Sequence, residues 1–245
     1  MRTDKLRIED IKKIFEGSGY FTSKQLYEFY IQDEPRLNIN TYRWRVYYLK
    51  EQGLIRSIKR GVYTLENKKT FEVNISRNML KMYNLIKRQL PYTNISIWET
   101  VWVHKFMIHQ PNSSLIIIDI DKEAMNTAFE ILREKMGNVY IYARKNDISF
   151  SMHGNSVVIK SFLKESPIKK EKMVIVPKLE KILVDLFVDE GLFITYHGQE
   201  LINIFNEIFS EYAINMTTLY RYARERAVTE RLKGFLRSNV QSAKK

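Results

Sequence analysis

The stretch from Asn38 to Leu65 constrains this chain more than any other. Ile39, Tyr42, Val46 and Leu49 recur at the 3.6-residue period, which predicts a helix over Asn40 to Gln52 with Asn40 as its N-cap. Gly53 then supplies a stop, Leu54 to Ile58 reads as a strand, Lys59-Arg60-Gly61 as a basic turn, and Val62 to Leu65 as the returning strand. A helix leading directly into a basic hairpin is the reading half of a winged helix-turn-helix. The elements before it fit. Ile8, Ile11, Ile14 and Phe15 predict a first helix closed by Gly17-Ser18-Gly19, and Thr22 and Ser23 cap a second through Leu26, Tyr27 and Tyr30, broken at Asp33-Glu34-Pro35.

Net charge becomes informative once it is located. Residues 1 to 70 hold 15 Lys and Arg against 9 Asp and Glu, residues 216 to 245 hold 8 against 2, and the middle is balanced at 17 against 17. Basic excess at the two ends is the asymmetry expected where particular elements meet a polyanion. With 245 residues, 44% of them hydrophobic, the chain can bury a sizeable core without staples. The absence of Cys excludes disulfides and thiolate chemistry and fits a reducing compartment. Apolar runs such as Leu115 to Ile118 are too short to span a bilayer and no signal core follows Arg2-Thr3-Asp4-Lys5, so the expectation is a cytoplasmic protein with no membrane partner.

Beyond residue 70 the pattern becomes mixed. A helix through Met79, Met82, Tyr83 and Ile86 precedes Pro91, a strand Ile95 to Trp98 and a short helix Thr100 to Phe106. Leu115 to Ile120 reads as a central strand and Lys122 to Met136 as an amphipathic helix stopped by Gly137. Strands follow over Val139 to Ala143, Val157 to Phe162 and Met173 to Val176; a helix beginning at Pro177 buries Leu179, Ile182, Leu183, Leu186 and Phe187. The end is helical, with Leu201, Ile202, Phe205, Ile208 and Phe209 on one stripe, then Leu219, Tyr222, Ala223 and Arg226 behind a cap at Asn215 or Thr217, and a frayed tail from Ser238 through Ala243-Lys244-Lys245. The fold class is therefore α+β: a winged helix-turn-helix over 1–70, a mixed α/β domain with a small sheet over 71–196, and a basic helical end over 197–245.

Two stretches resemble one known family. Tyr20-Phe21-Thr22-Ser23 through Gln25-Leu26, Tyr48-Leu49-Lys50-Glu51-Gln52-Gly53-Leu54-Ile55 and Lys59-Arg60-Gly61-Val62-Tyr63-Thr64-Leu65 are similar to the N-terminal winged helix of AbiEi-type antitoxins. Pro177-Lys178-Leu179-Glu180-Lys181-Ile182-Leu183-Val184-Asp185-Leu186 resembles a Pro-x-x-Glu-Lys-x-Leu-x-Asp-Leu segment in the C-terminal domain of the same regulators. The resemblance implies an antitoxin of a type IV system that represses its own promoter and counteracts a nucleotidyltransferase toxin, with no stable complex between the two required. No enzyme activity and no cofactor are expected. The long basic C-terminal helix departs from the family pattern.

Candidate residues follow from these readings. Thr41, Arg43 and Arg45, with Asn40, Trp44 and Tyr48, face a major groove of double-stranded DNA, while Arg56, Lys59 and Arg60 hold flanking phosphates. Arg221, Arg224, Arg231 and Lys233 form a second basic surface, and a homodimer on DNA is left open. The rival reading is a metal-dependent nucleic-acid enzyme using Asp119, Asp121 or Glu180, since carboxylates two apart at a strand end can point one way. Against it, no Gly-Ser turn precedes the pair, Asp121 suits a helix cap, and Glu180 and Asp185 beside Lys181 suit an ion-paired or exposed helix edge. His104, His109, His153 and His197 show no metal-ligand pair on one helical face, so no metal is expected.

Overall fold

The computed structural model describes residues 6–16, 20–65, 69–142 and 156–240, without the side chains of Ile58 and Lys59. The chain is mixed α and β and divides into two units, Met1–Phe71 with Glu211–Asn215, and Glu72–Ser210 with Met216–Lys245. The predicted closure at Gly17-Ser18-Gly19 and the tail residues Ala243-Lys244-Lys245 lie outside the described residues.

In the first unit the order is α1 (Ile8–Phe15), β1 (Phe21–Thr22), α2 (Ser23–Asp33), α3 (Ile39–Glu51), β2 (Ile55–Lys59) and β3 (Val62–Leu65). The three strands form an antiparallel sheet ordered β1-β3-β2, with Phe21 opposite Tyr63 and Arg56 opposite Thr64. β1 was not expected, because two residues are too few to show a period. Thr22 ends it and starts α2 through a full capping box, its hydroxyl accepting from Gln25 N–H while the Gln25 side chain accepts from Thr22 N–H. The N-cap of α3 is Asn38, whose Oδ1 accepts from Asn40 N–H at 2.8 Å, so the helix begins before the predicted cap at Asn40. Leu26, Phe29, Tyr30, Tyr42, Val46, Leu49, Ile55 and Tyr63 are buried together beneath these elements.

Gly53 and Gly61 occupy positions that only glycine fills without strain. Gly53, at φ +65°, ends α3 with Leu54 N–H donating to Leu49 C=O, and Gly61, at φ +75°, turns the hairpin. A Cβ on Gly53 would also stand 2.3 Å from the Ala213 Cβ. Ala213 belongs to the returning segment, held by Ala213 N–H to Lys69 C=O and by Asn215 Nδ2 to Glu51 Oε1.

The second unit begins with α4 (Arg77–Gln89), β4 (Ile95–Glu99), α5 (Val101–His104), β5 (Leu115–Ile120), α6 (Met125–Arg133), β6 (Val139–Ile141) and β7 (Ser156–Ser161). It continues through β8 (Ile168–Glu171), β9 (Val174–Pro177), α7 (Leu179–Val188), α8 (Gln199–Glu211), α9 (Met216–Glu225) and α10 (Thr229–Asn239). The main sheet is ordered β4-β5-β7-β6; β4 runs antiparallel to β5, while β5, β7 and β6 are parallel. β8 and β9 form a separate hairpin, and β8 was missed because Ile-Lys-Lys-Glu carries too much charge to read as a strand. Pro177 is the last residue of β9 and Lys178 is the cap of α7, so the predicted start of that helix at Pro177 is corrected. The predicted strand through Ala143 is described only as far as Ile141.

Helices α4 and α6 contact each other and strands of the main sheet, and α7, joined to α9 and α10, reaches β5 through Lys181 and Asp119. Every residue of β5 and of α7 is buried. An all-buried helix has no solvent face, so its charged residues must find partners inside. Among the described residues no helix is long and apolar enough to cross a membrane.

Gly53→Ala should destabilise the first unit by at least the roughly 1–2 kcal/mol that a left-handed conformation costs an L-residue. Gly137→Ala, where an added Cβ meets nothing within 4 Å and φ is not positive, should be neutral or stabilise by up to about 1 kcal/mol. Urea melts of the two variants check this, and an equal effect at both positions would contradict it.

Candidate functional site

Two sets of polar side chains stand out, one on the outside of α3 and one inside the second unit. On α3 the buried stripe is Tyr42, Arg45, Val46 and Leu49, while Ile39 is 47% exposed. This corrects the predicted placing of Arg45 toward a groove. Its guanidinium, 2% exposed, donates from Nη2 to both Glu34 carboxylate oxygens at 2.8 Å and lies over the Tyr30 ring. An Arg held by a carboxylate and an aromatic face can take an inward position that a Lys could not, because its flat cation both stacks and forks.

The remaining predicted residues on α3 face outward to different degrees. Asn40 and Arg43 are exposed, Thr41 is half-buried, and Trp44 is 38% exposed and stacked on half-buried Tyr48 at 5.2 Å between ring centres. Tyr47 is 61% exposed. On the hairpin Arg56 and Arg60 are exposed, and the Lys59 side chain lies outside the described residues. Arg36, which sequence reasoning left out, is exposed just before α3 and lines a cleft with Asn38 and Thr41. The surface of α3 is therefore polar, aromatic and cationic, with no acidic residue before Glu51.

Inside the second unit, Ser96, Asp119 and Lys160 stand in register on neighbouring strands β4, β5 and β7. All three are at most 4% exposed. Ser96 Oγ donates to Asp119 at 3.2 Å, and α7 answers the row: Lys181 Nζ donates to Asp119 at 2.8 Å and to Asp185 at 2.5 Å. Lys160 reaches Asp189 at 2.5 Å and Asp185 at 3.6 Å. From α9 and the turn after it, Tyr222 Oη donates to Asp185 at 2.9 Å and Arg226 bonds Asp189 at 2.5 Å while lying 3.3 Å from Asp185. Three cations thus meet three carboxylates with no net charge.

The electrostatics follow from that balance. Burial alone would push the Asp185 carboxyl up, but Lys160, Lys181 and Arg226 around it hold it far below the usual carboxylate range. Burial likewise opposes the Lys181 charge, and Asp119 and Asp185 overcome it, raising the ammonium well above its ordinary value. Tyr222 is raised chiefly by burial and then by Asp185, so it stays a neutral donor.

The carboxylates considered for metal binding are separated by this arrangement. Asp119 is turned to Lys181, whereas Asp121 accepts from Thr93 Oγ1 and from Asn94 N–H and Nδ2, and makes no side-chain bond to the helix that follows it. The predicted capping role of Asp121 is corrected on that ground. Glu180 and Asp185 are buried, so the exposed helix edge is overturned, while the Lys181–Asp185 pair four residues apart is present. His104 Nε2 lies 2.8 Å from Tyr196 Oη, His109 Nδ1 2.8 Å from Glu200, and His197 Nε2 2.7 Å from Leu186 C=O; His153 lies outside the described residues. Among the described residues no group of three or more His, Asp or Glu is placed to hold a metal. Of the C-terminal cations, Arg221, Arg224 and Arg231 are exposed and Lys233 is half-buried against Glu230, but Arg226 is drawn into the interior.

If the network sets the second unit's packing, Asp185→Asn, which leaves one cation uncompensated in the interior, should cost about 3–5 kcal/mol in chemical denaturation. Asp185 is depressed on folding, so its contribution is complete above its ordinary value of 3.8 and fades as pH falls below it. Lys181 is raised, so its contribution is complete below 10.5 and fades only as pH climbs beyond it. The wild type should therefore keep this stabilisation between pH 3.8 and 10.5 and lose it progressively beyond either limit. Unchanged stability in Asp185→Asn would show the network to be dispensable.

No curated protein matches the chain. A family model described as a family of unknown function (DUF6577) matches residues 41–242, from within α3 through the end of α10. With well over half of its length matched, the chain belongs to the DUF6577 family.

Proposed function

We propose that the first unit is a winged helix-turn-helix that binds double-stranded DNA, with α3 in the major groove and the β2–β3 hairpin along the neighbouring backbone. The observation that carries the reading is the outward face of α3, where Asn40, Arg43 and Trp44 are exposed immediately before a hairpin with exposed Arg56 and Arg60. Helix order and sheet order support it, since a two-residue β1 completes the sheet β1-β3-β2 beside three helices. Arg43 and Asn40 have the donors and acceptors that read base edges, and Trp44 can rest on sugar or a thymine methyl. Arg36 and Arg60 join the phosphate contacts, and Arg45 orders the helix from inside.

The chain then acts by binding, as a transcriptional regulator. The narrower reading, an autoregulating antitoxin paired with a nucleotidyltransferase toxin in the cytoplasm, is supported by the two stretches that resemble AbiEi-type proteins. Co-expression with a toxin gene adjoining its own tests it: growth should be restored by the full chain, and failure to restore it removes the antitoxin while leaving DNA binding standing.

Fluorescence anisotropy with the duplex upstream of its own coding sequence, and with duplexes selected from a random pool, tests DNA binding. With about five phosphate contacts, log affinity should fall against log salt with a slope near −4 to −5. Arg43→Ala should lose about 1–3 kcal/mol of preference for the selected sequence. Arg43→Ala should melt as the wild type does and Arg45→Ala well below it. No selected sequence at modest ionic strength, or a flat salt dependence, overturns the proposal.

A further inference from the structure

A groove of about 520 Å³ runs between α4 and α6, and no residue of the ionic network lines it. Its floor is apolar, built from Met82, Leu85, Leu132 and Met136. Its rim is cationic, with exposed Lys81 and Arg88 on α4 and exposed Lys135 just past α6. None of these three cations has an ion-pair or side-chain hydrogen-bond partner among the described residues, whereas Lys87 nearby donates to Pro91 C=O and Thr93 C=O. α4 contains no acidic residue, although the segment around it is balanced in charge. Glu130 and Glu134 lie two positions either side of Leu132, and so on the opposite face of α6 from the groove.

Each part of this arrangement excludes a simpler ligand. A nucleic acid backbone would engage the cations but leaves an apolar floor unused. A fatty acid fills an apolar floor but brings one anion, whereas Lys81 and Arg88 are seven residues apart, about 10 Å along the helix, with Lys135 across from them. Several anions spaced along one apolar seam describe an amphipathic helix with acidic flanks. Two methionines suit such a floor, because their unbranched side chains adapt to the shape laid on them.

We propose that the α4–α6 groove docks an acidic amphipathic helix of a partner protein, apolar residues on Met82, Leu85, Leu132 and Met136 and carboxylates against Lys81, Arg88 and Lys135. This stands apart from the DNA-binding reading of the first unit. The test uses the full chain and a display library of 14-residue helical peptides with apolar residues fixed at i, i+3, i+4 and i+7 and Asp, Glu, Lys, Arg, Ser or Ala elsewhere. Enriched peptides should carry Asp or Glu beside the apolar seam, and Lys81→Glu with Arg88→Glu should weaken them at least tenfold by anisotropy while the melting temperature holds. Enrichment of neutral or basic peptides, or unchanged affinity in the double variant, overturns the proposal. So does a groove whose charge reversal abolishes binding of dodecanoate, of duplex DNA or of a second copy, read by sedimentation, with no acidic peptide selected.

Discussion

Burying charge is the constraint on which the second unit is built. The row Ser96, Asp119, Lys160 crosses three strands in register, and a sheet carrying such a row in its interior accepts only a helix whose own charges complement it. α7 supplies Lys181 and, one turn on, Asp185, with Asp189 following at the next turn. That spacing fixes both the rotation of α7 and its position along the strands, since sliding by one turn would bring Asp185 where Lys181 faces Asp119. Arg226 and Tyr222 extend the same constraint to α9. Apolar packing alone tolerates rotations and slides of this kind; a charge pattern in low dielectric does not.

The first unit applies the same device once. Arg45 takes a core position on α3 because Glu34 and the Tyr30 ring meet it there, and Ile39, a turn and a half earlier, is left outside. Ile39 shares a stripe with Val46, seven residues on, and is exposed because it stands at the first residue of α3, while Arg45 widens the buried stripe on its other side. Arg43, Trp44 and Tyr47 stand on the surface together, away from that stripe. An Arg that orders a helix from inside and another that projects from it are distinguished by their partners, not by their place in a basic run.

Much of the fold was legible because apolar periodicity reports elements directly. α1 to α4, β5 and the hairpin strands follow from the spacing of Ile, Leu, Val and aromatic residues. What was not legible is what periodicity leaves unspoken. A two-residue strand has no period, and a charged hairpin strand such as β8 reads as a loop. Arg45 was expected to face a groove and is buried, Asp185 was expected in an ion pair or at an exposed edge and is buried in the pair, and Lys160 and Asp189 were not singled out. One signal was present: Leu179 to Val188 is apolar on every side, so the Lys and Asp within it have no solvent face to turn to. The outward residues of α3 were legible by elimination once the buried stripe was drawn, apart from the exchange of Ile39 and Arg45.

Partner counting changes how the basic character is read. Arg226 is consumed by Asp185 and Asp189, which lie outside residues 216 to 245, so part of the excess at that end is structural, whereas Arg45 with Glu34 and Arg7 with Asp10 and Asp33 pair within residues 1 to 70 and leave the excess there unchanged. Exposed Arg43 and Arg60, and Lys81, Arg88 and Lys135 on a segment whose charge sums to nothing, are among the cations that no ion pair holds among the described residues. The same counting bears on the Pro177 to Leu186 resemblance. Its Glu, Lys and Asp are interior residues of α7, two of them in the ionic network, so in this chain the motif fastens a helix to a sheet. Contacts with other molecules therefore fall to the surfaces that this packing leaves unpaired.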